Sequence, residues 1–243
     1  MDNISYLGLR AQQALERRIA TTASNLANVN TTGFKADALR FQVAIVPPAR
    51  SGDRPNDIRF ARDAGLVRDF SQGPVSRTGE SFDLAIEGDG FFAVQGPNGP
   101  AYTRDGSFQL DAAGTLVTSD GRAVLDTGGA PIVFDTRGEA PQIDREGRIR
   151  VGAANIGALQ LVSFADQAGL RKIGDNLFDS AGQAPGLFEG ALVQGALEES
   201  NVDAVTAITE LIQVSRAYEG AARIVQSTDD LRQRALQRLG QST

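Results

Sequence analysis

Hydrophobic residues near the start of the chain recur at steps of three or four. That spacing places them on one face of a helix, because an α-helix turns once in about 3.6 residues. The polar residues Arg10, Gln13 and Arg17 fall on the other faces. The pattern therefore predicts an amphipathic helix within residues 1–36, with an apolar stripe formed by Ile4, Leu7, Ala11, Leu15, Ile19, Ala23, Leu26 and Val29.

A second apolar stripe runs from about residue 201 to residue 239, and it predicts a helix roughly 60 Å long. Ser200 followed by Asp203 has the form of a capping box, so Ser200 is the predicted N-cap. We expect this segment, 198–243, to pair with the first helix as a coiled coil. Its stripe consists of Val205, Ile208, Leu211, Ile212, Tyr218, Ala222, Val225, Leu231 and Ala235.

The sequence "VNTTGF" predicts the end of the first helix. Gly33 is expected to adopt the left-handed conformation that closes a helix, with Val29 and Phe34 forming the apolar pair of a Schellman ending. Asn25, Asn28 and Asn30 are poor residues for a helix interior, since their side chains compete for backbone groups. They indicate either a solvated last turn or hydrogen bonds to other chains, and the second is our prediction.

The middle of the chain has a different pattern. All nine prolines and 23 of the 27 glycines lie between residues 37 and 197. The compact apolar runs "SFDLAIEG" and "GFFAVQ" alternate with turn signals such as "DAAG" and "REGR", which predicts hairpins of a sandwich or small barrel over 76–197. Residues 37–75 are predicted to be an extended connector that becomes ordered against a partner. The fold class is therefore α+β, with a discontinuous domain of long terminal helices flanking a central, mainly β domain.

Composition narrows the chemistry. The 243-residue chain contains neither cysteine nor histidine, so disulfides, thiol nucleophiles, Ser-His-Asp catalysis and most zinc sites are excluded. The formal net charge of −6 gives no attraction for nucleic acid. The N-terminus lacks a cleavable signal pattern, and no run of about 18 apolar residues is present. These features alone predict a soluble, cytoplasmic protein without membrane insertion.

Candidate sites outside the helices are weak. The sequence "EGDG" at 87–90 lacks the lysine of a phosphate loop and is interpreted as a turn. The acidic residues Asp105, Asp111, Asp120 and Asp126 suggest a calcium or glycosidase site, but the EF-hand pattern fails, since Ser107 and Gln109 stand where further ligands are expected. A carbohydrate-binding or carboxylate-dependent hydrolytic β domain remains an alternative, but we predict no catalytic residue, cofactor or metal.

The stretch "SNLANVNTTGFKAD" resembles the N-terminal signature of the flagellar rod and hook family. "FDLAIEGDGFFAVQ" and the segment from "GALEESNVD" to "LQRLG" are similar to the family's central β module and C-terminal helix. Ser24 stands where the family often has asparagine. The matching positions of the signature are Asn25, Leu26, Ala27, Asn28, Asn30, Thr32, Gly33 and Phe34.

The resemblance implies a structural subunit of the bacterial flagellar basal body, in the proximal rod or, alternatively, in the distal rod or elsewhere among rod subunits. It implies export through the flagellar export apparatus without a cleavable signal peptide. Copies of the chain and other rod subunits would then form a hollow helical drive shaft across the periplasm, which transmits torque. The residues expected to pack the helices in this assembly are Leu15, Ile19, Leu26, Ile208, Leu211, Tyr218 and Val225.

Overall fold

The computed structural model describes residues 2–46, 58–135, 139–174 and 176–240. The chain divides into two compact units. The helical unit contains residues 1–27, 37–67 and 203–243, and the β unit contains Asn28–Ala36 and Arg68–Val202. The α+β class predicted from the sequence is confirmed, because a helix at each end flanks a mainly β region.

The helical unit is built on α1 (Asp2–Ala27) and α2 (Ala204–Gly240), which pack against each other. Gly8 of α1 lies beside Val225 of α2, and a Cβ on Gly8 would be 2.7 Å from the Val225 Cγ2. Further along, Arg18 pairs with Glu210 at 2.6 Å. The partner residue number falls as the α1 number rises, so the two helices run antiparallel.

Two predictions about the helix ends are wrong. The first helix ends at Ala27, before the "VNTTGF" sequence that was expected to close it. The N-cap of α2 is Asp203, whose Oδ1 accepts the backbone N–H of Thr206 at 2.6 Å. The hydroxyl of Ser200 accepts the N–H of Val202 instead, because the chain has not yet turned into the helix at that point.

The predicted connector 37–75 contains two long paired strands, β1 (Asp37–Val46) and β2 (Ile58–Arg68). The expectation that it orders only against a partner is therefore wrong for these strands, which pair with each other. Residues 47–57 of the connector lie outside the described residues. Four side chains of the predicted stripes are also not described by the structure: Ile4, Leu7, Leu231 and Ala235.

The β unit contains short strands arranged in several small sheets. The strands are β3 Val75–Arg77, β4 Leu84–Glu87, β5 Phe91–Gly96, β6 Gly99–Thr103, β7 Phe108–Leu110, β8 Leu116–Thr118, β9 Gln142–Ile143, β10 Arg148–Val151, β11 Ala154–Ala158, β12 Leu161–Ser163, β13 Arg171–Gly174, β14 Leu177–Asp179, β15 Gly186–Leu187, β16 Ala191–Gln194 and β17 Ala196–Glu198. Among the described residues, the largest sheet has six strands in the order β13-β14-β6-β5-β12-β15, and a three-stranded sheet has the order β11-β10-β9. Three further pairs are β16-β4, β17-β3 and β7-β8.

Strand β5 lies between two apolar cores. Phe92 and Val94 belong to the larger core, whereas Phe91 and Ala93 belong to the smaller one. Alternate residues of a strand point to opposite faces, so both faces of β5 are buried. This explains why "FFAV" is a continuous apolar run rather than an alternating one.

Three hairpin turns in this unit share one construction, Asp-x-x-Gly. Asp111, Asp126 and Asp144 each accept a hydrogen bond from the N–H of the glycine three residues later. Each also uses its Oδ1 to accept the N–H groups two and four residues on. The glycines have φ values between 79° and 84°, a region that side chains disfavour. The predicted turn signals "DAAG" and "REGR" correspond to these turns.

Candidate functional site

The signature asparagine Asn25 lies in the last turn of α1 and bonds to the first residue of β1. Its Oδ1 accepts the backbone N–H of Asp37 at 3.0 Å, and its Nδ2 donates to the Asp37 carbonyl at 2.8 Å. An amide matches both backbone groups at once because it has a donor and an acceptor side by side. The side chain is half-buried, and this pair of bonds lies within one chain.

Residues 28–36, which we call the strap, belong to the β unit. The strap begins with a turn in which Asn28 Oδ1 accepts the hydroxyl of Thr31 at 3.2 Å. The hydroxyl of Thr32 then donates to Asp105 Oδ1 at 2.7 Å. Asn30 is exposed. Asn25 and Asn28 therefore bond within the chain. Bonds of the three asparagines to other chains stay a prediction.

Gly33 is a point of close backbone approach between the strap and the rest of the β unit. Its φ is +63°, and its N–H donates to the carbonyl of Glu198 at 2.8 Å. A Cβ at this position would lie 2.4 Å from Arg104 C and from Asp105 N. The left-handed conformation predicted for Gly33 is confirmed. The predicted Schellman ending is wrong, because the Gly33 and Phe34 N–H groups bond to Glu198 and Thr31 rather than to the last carbonyls of α1.

The aromatic ring of Phe34 is the apolar anchor of the strap. Its side chain is 1% exposed, and the Lys172 Nζ lies 4.9 Å from the ring centroid, a distance at which a cation is attracted to an aromatic face. The Phe34 carbonyl accepts the N–H of Asn201 at 3.3 Å, and Asn201 Oδ1 accepts the N–H of Ala36 at 2.8 Å. Residues 33–36 thus run beside 198–201.

Next to Phe34 lies a group that we call the buried ion cluster: Lys35, Arg104 and Glu198. The Lys35 Nζ donates to Glu198 Oε1 and to the Ser71 carbonyl, each at 2.6 Å. Arg104 Nη1 is 3.2 Å from Glu198 Oε2. The backbone N–H of Gly73 also donates to Glu198 Oε1, at 2.9 Å. All three charged side chains are at most 1% exposed.

Burial dominates the electrostatics of this cluster. It lowers the pKa of Lys35 and of Arg104, because removal from water disfavours the charged forms. The negative charge of Glu198 opposes both shifts and favours the charged forms. Burial also raises the pKa of Asp105, against the effect of its hydrogen bonds from Ser107 and Thr32.

Sequence reasoning missed the buried ion cluster. Its members are 69 and 94 positions apart in the chain, and no periodic pattern links them. One local signal was available. Glu198 lies two residues after the fully buried Ala196 in β17, and residues two apart in a strand share a face.

The acidic residues singled out from the sequence are mostly engaged in local structure. Asp105 and Asp120 line one cleft of about 390 Å³, and two carboxyl groups in one cleft are one of the requirements of a two-carboxylate hydrolase. However, Asp105 Oδ1 accepts bonds from Thr32 and Ser107, while Asp120 is bonded to Thr118 and Arg122. Within the residues that the structure describes, no group of three or more acidic side chains could hold a metal ion.

Three segments of the chain match protein families. Residues 6–35 match the flagella basal body rod protein family. Residues 85–151 match the flagellar hook protein FlgE/F/G D1 domain, and residues 193–238 match the C-terminal family of the flagellar basal body rod FlgEFG proteins. The three matches cover most of α1, strands β5 to β10 of the β unit and most of α2 respectively.

Full-length relatives agree with these matches. The flagellar basal-body rod protein FlgF of Caulobacter vibrioides is 42% identical over 242 residues, which cover 99% of both chains. FlgF of Mesorhizobium japonicum is 35% identical, again over 99% of both chains. The flagellar basal-body rod protein FlgG of Bacillus subtilis is 32% identical, over 94% of this chain and 96% of its own.

The chain belongs to the flagellar basal-body rod protein family. It is a structural protein of the flagellar basal body and not an enzyme. The two carboxylates of the cleft are therefore structural groups of a rod protein. None of the helices in the described parts of this rod protein is long and apolar enough to cross a membrane.

The helix residues predicted to pack in the rod protein occupy two kinds of environment. Leu15, Ile19 and Leu26 of α1 are half-buried, as are Leu211, Tyr218 and Val225 of α2. Ile208 is 45% exposed. The signature residues Leu26 and Ala27 form the end of α1, so the family signature spans the boundary between the helical unit and the β unit.

Proposed function

We propose that this chain is a subunit of the proximal rod and that it assembles through its terminal helices. Copies of the chain and other rod subunits would form a hollow helical tube that transmits torque and passes exported subunits. Contacts between unlike surfaces that do not close into a ring propagate as a helix. Long helices packed side by side give such a tube axial and torsional stiffness.

The observation that carries this proposal is an apolar surface on α2 that α1 does not cover. Val205 is 74% exposed, Ile208 is 45% exposed and Ile212 is 49% exposed. Their spacing of three and four residues places them on one face of the helix. Val214 and Ala207 lie on a different face and are buried. We call the three exposed residues the α2 outer face, and we assign it to contacts with neighbouring subunits.

The inner faces of α1 and α2 are proposed to pair as an antiparallel coiled coil. The support is their close contact at Gly8 and the Arg18–Glu210 ion pair. The ion pair is exposed and contributes little to stability. We assign it to the alignment of the two helices, and we assign the half-buried Leu15, Ile19, Leu211, Tyr218 and Val225 to the seam.

A place in the rod implies how the protein reaches it. We propose that the chain is exported by the flagellar export apparatus without a cleavable signal peptide, and that the rod it joins spans the periplasm. Contact with nucleic acid and direct insertion into the membrane are not part of this function. The net charge of −6 is consistent with that view.

The α2 outer face can be tested by placing a charge on it. Ile208→Asp alters a residue that is exposed in the single chain, so we expect its unfolding midpoint to stay close to that of the unchanged protein. Burial of an unpaired carboxylate between subunits costs at least about 2 kcal/mol of association free energy. We therefore expect a strain carrying only this variant to lack complete rods in electron micrographs.

Gln213→Asp is the matched control, because Gln213 is an exposed polar residue on another face of the same helix. It should support normal rods and swimming. Normal motility with Ile208→Asp would contradict the proposed interface. A chain ending at Val202, which keeps the whole β unit and removes α2, should fail to assemble.

The distal rod is the alternative position, since relatives named FlgG also match most of the chain. Cross-complementation distinguishes the two positions. We expect the chain to restore motility to a Caulobacter vibrioides strain that lacks its FlgF, and not to an Agrobacterium fabrum strain that lacks its FlgG. Rescue of only the second strain would place the chain in the alternative position.

A further inference from the structure

The buried ion cluster contains more positive than negative charge. Lys35 and Arg104 are cations, Glu198 is the single carboxylate, and all three are at most 1% exposed. Two other acidic groups act on these cations: Asp69 attracts Lys35 and Asp89 attracts Arg104, but both aspartates are exposed to water. Glu198 is therefore the one buried anion that compensates two buried cations among the described residues.

Glu198 also joins three separate segments of the β unit. Its two oxygens accept bonds from Lys35 in the strap, from Arg104 after β6 and from the N–H of Gly73. Its own backbone carbonyl accepts the N–H of Gly33. A single side chain and its backbone thus hold the strap at two successive points.

Arg104 and Lys35 would retain different contacts if the Glu198 carboxylate were removed. Arg104 keeps a bond from Nη2 to the Gly88 carbonyl at 2.7 Å, and its guanidinium also lies 5.4 Å from the Phe91 ring. Lys35 keeps only its bond to the carbonyl of Ser71 among the bonds described for its side chain. Lys35 is also on the strap, so it can reach water if the strap moves away.

We propose that the charge of Glu198 holds the strap against the rest of the β unit, and we call this arrangement the latch. When Glu198 loses its charge, the strap detaches, because Lys35 then moves into water. An isolated buried ammonium group is far less stable than a hydrated one, whereas a buried ion pair can often be replaced by apolar side chains at little cost. Lys35 therefore does not add to the free energy of unfolding. Its role is to make the packing of the strap depend on the charge of Glu198. This inference concerns the single chain and does not depend on the rod assembly proposed above.

The test is hydrogen exchange of the full-length chain in a set of variants. Glu198→Gln keeps the shape of the side chain and removes its charge. We expect the amides of Gly33 and Ala36 in the strap to exchange about a hundredfold faster, whereas the amides of β5 keep their protection. Glu199→Gln is the matched control, since it removes one charge from the exposed neighbouring residue, and it should leave strap exchange unchanged.

The decisive variant is Lys35→Met, alone and combined with Glu198→Gln. Lys35→Met alone leaves one cation paired with one carboxylate, so the unfolding midpoint should equal or exceed that of the unchanged protein. In the double variant no lysine remains to pull the strap into water, and we expect most of the strap protection to return. This comparison also holds if Glu198→Gln alone fails to fold.

Three results would overturn the latch. Wild-type protection of Gly33 and Ala36 in Glu198→Gln would mean that the carboxylate does not hold the strap. A double variant as unprotected as Glu198→Gln would mean that Lys35 does not drive release. A loss of stability in Lys35→Met as large as that in Glu198→Gln would show that Lys35 is an ordinary stabilising residue.

Discussion

At Gly33 the absence of a side chain determines the path of the strap. The backbone of Arg104 and Asp105 occupies the space that a Cβ would need. Sequence reasoning assigned a left-handed conformation to this glycine, which is correct, but it gave the conformation as the only reason for glycine. The second reason is contact with residues some 70 positions away, and no local pattern could indicate it.

This contact changes the expected effect of substitution. Asparagine tolerates the left-handed conformation and valine does not, so conformation alone predicts that Gly33→Asn is milder than Gly33→Val. Because any Cβ meets backbone atoms at 2.4 Å, we expect both variants to lose about 3 kcal/mol of unfolding free energy. Urea denaturation measures the loss.

Gly121→Asn is the control for that measurement. Gly121 also has a positive φ, +82°, but nothing lies within 4 Å of its Cβ position. This variant should cost less than about 1 kcal/mol. A stable Gly33→Asn variant would show that the strap can shift away from Arg104.

Asn25 offers a second test at the scale of one residue. Asn25→Asp replaces the amide donor with an oxygen that faces the Asp37 carbonyl, so one hydrogen bond is lost and a repulsion is added. We expect a loss of about 1–2 kcal/mol in unfolding free energy. Asn30→Asp makes the same change at an exposed signature position and should have little effect. Equal losses would mean that the Asn25–Asp37 bonds do not stabilise the end of α1.

Among the elements, periodicity predicted the existence of both long helices and failed at their ends. Eight regularly spaced apolar positions were enough to indicate α1. Near its end at Ala27, Asn25 bonds to Asp37, ten residues beyond the helix. Such tertiary contacts override local stop signals. The paired strands β1 and β2 were missed for a related reason, because polar residues in a two-stranded sheet do not produce the pattern of a buried strand.

The start of α2 gives a prediction for an element. Asp203→Ala removes the carboxylate that caps the Thr206 N–H, and loss of such a cap costs about 1 kcal/mol. We expect faster hydrogen exchange at Thr206 and unchanged exchange in β5. Ser200→Ala tests the cap predicted from the sequence, and it should leave exchange at Thr206 unchanged. The opposite outcome would restore Ser200 as the N-cap.

Across the whole molecule, Asp-x-x-Gly turns engage aspartate side chains, and two of these aspartates, Asp111 and Asp126, are among the acidic residues that resembled a site. Asp111 and Asp144 sit at equivalent positions of two of these hairpins, and the pKa of each lies below its usual range. Hydrogen bonds, first that of the Thr115 N–H, lower the pKa of Asp111. Burial raises the pKa of Asp144, but its hydrogen bonds and the charge of Arg148 outweigh that effect. The turns themselves were predictable from the sequence. The hydrogen bonds that the carboxylates accept could not be predicted, because they depend on the folded path of each hairpin.

These pKa shifts predict how stability depends on pH. A carboxyl whose pKa is lower in the folded state stabilises the fold above about pH 4, the usual range of an unfolded aspartate, and this contribution is lost as the pH falls through the lowered value. Asp144→Asn removes one such group, so we expect the variant to lose less stability on acidification. The difference should be below about 1 kcal/mol, because Arg148, its ionic partner, is exposed.

Melting temperatures measured between about pH 5 and pH 2 would reveal this difference. The exposed Glu80→Gln provides a comparison for the removal of a carboxylate outside these turns. A steeper acid dependence in Asp144→Asn than in the unchanged chain would contradict the assignment.

The antiparallel helix pair has a mechanical consequence for a chain held by its two ends. Tension applied there would peel α1 from α2 one turn at a time, so only a few contacts resist at any moment. The force would next reach residues 28 and 202, where residues 33–36 run beside 198–201. Unzipping should stop there, because Lys35, Phe34 and the backbone bonds of Gly33 must then break together. A stretched chain should therefore show a soft extension followed by a single stiff barrier at the strap.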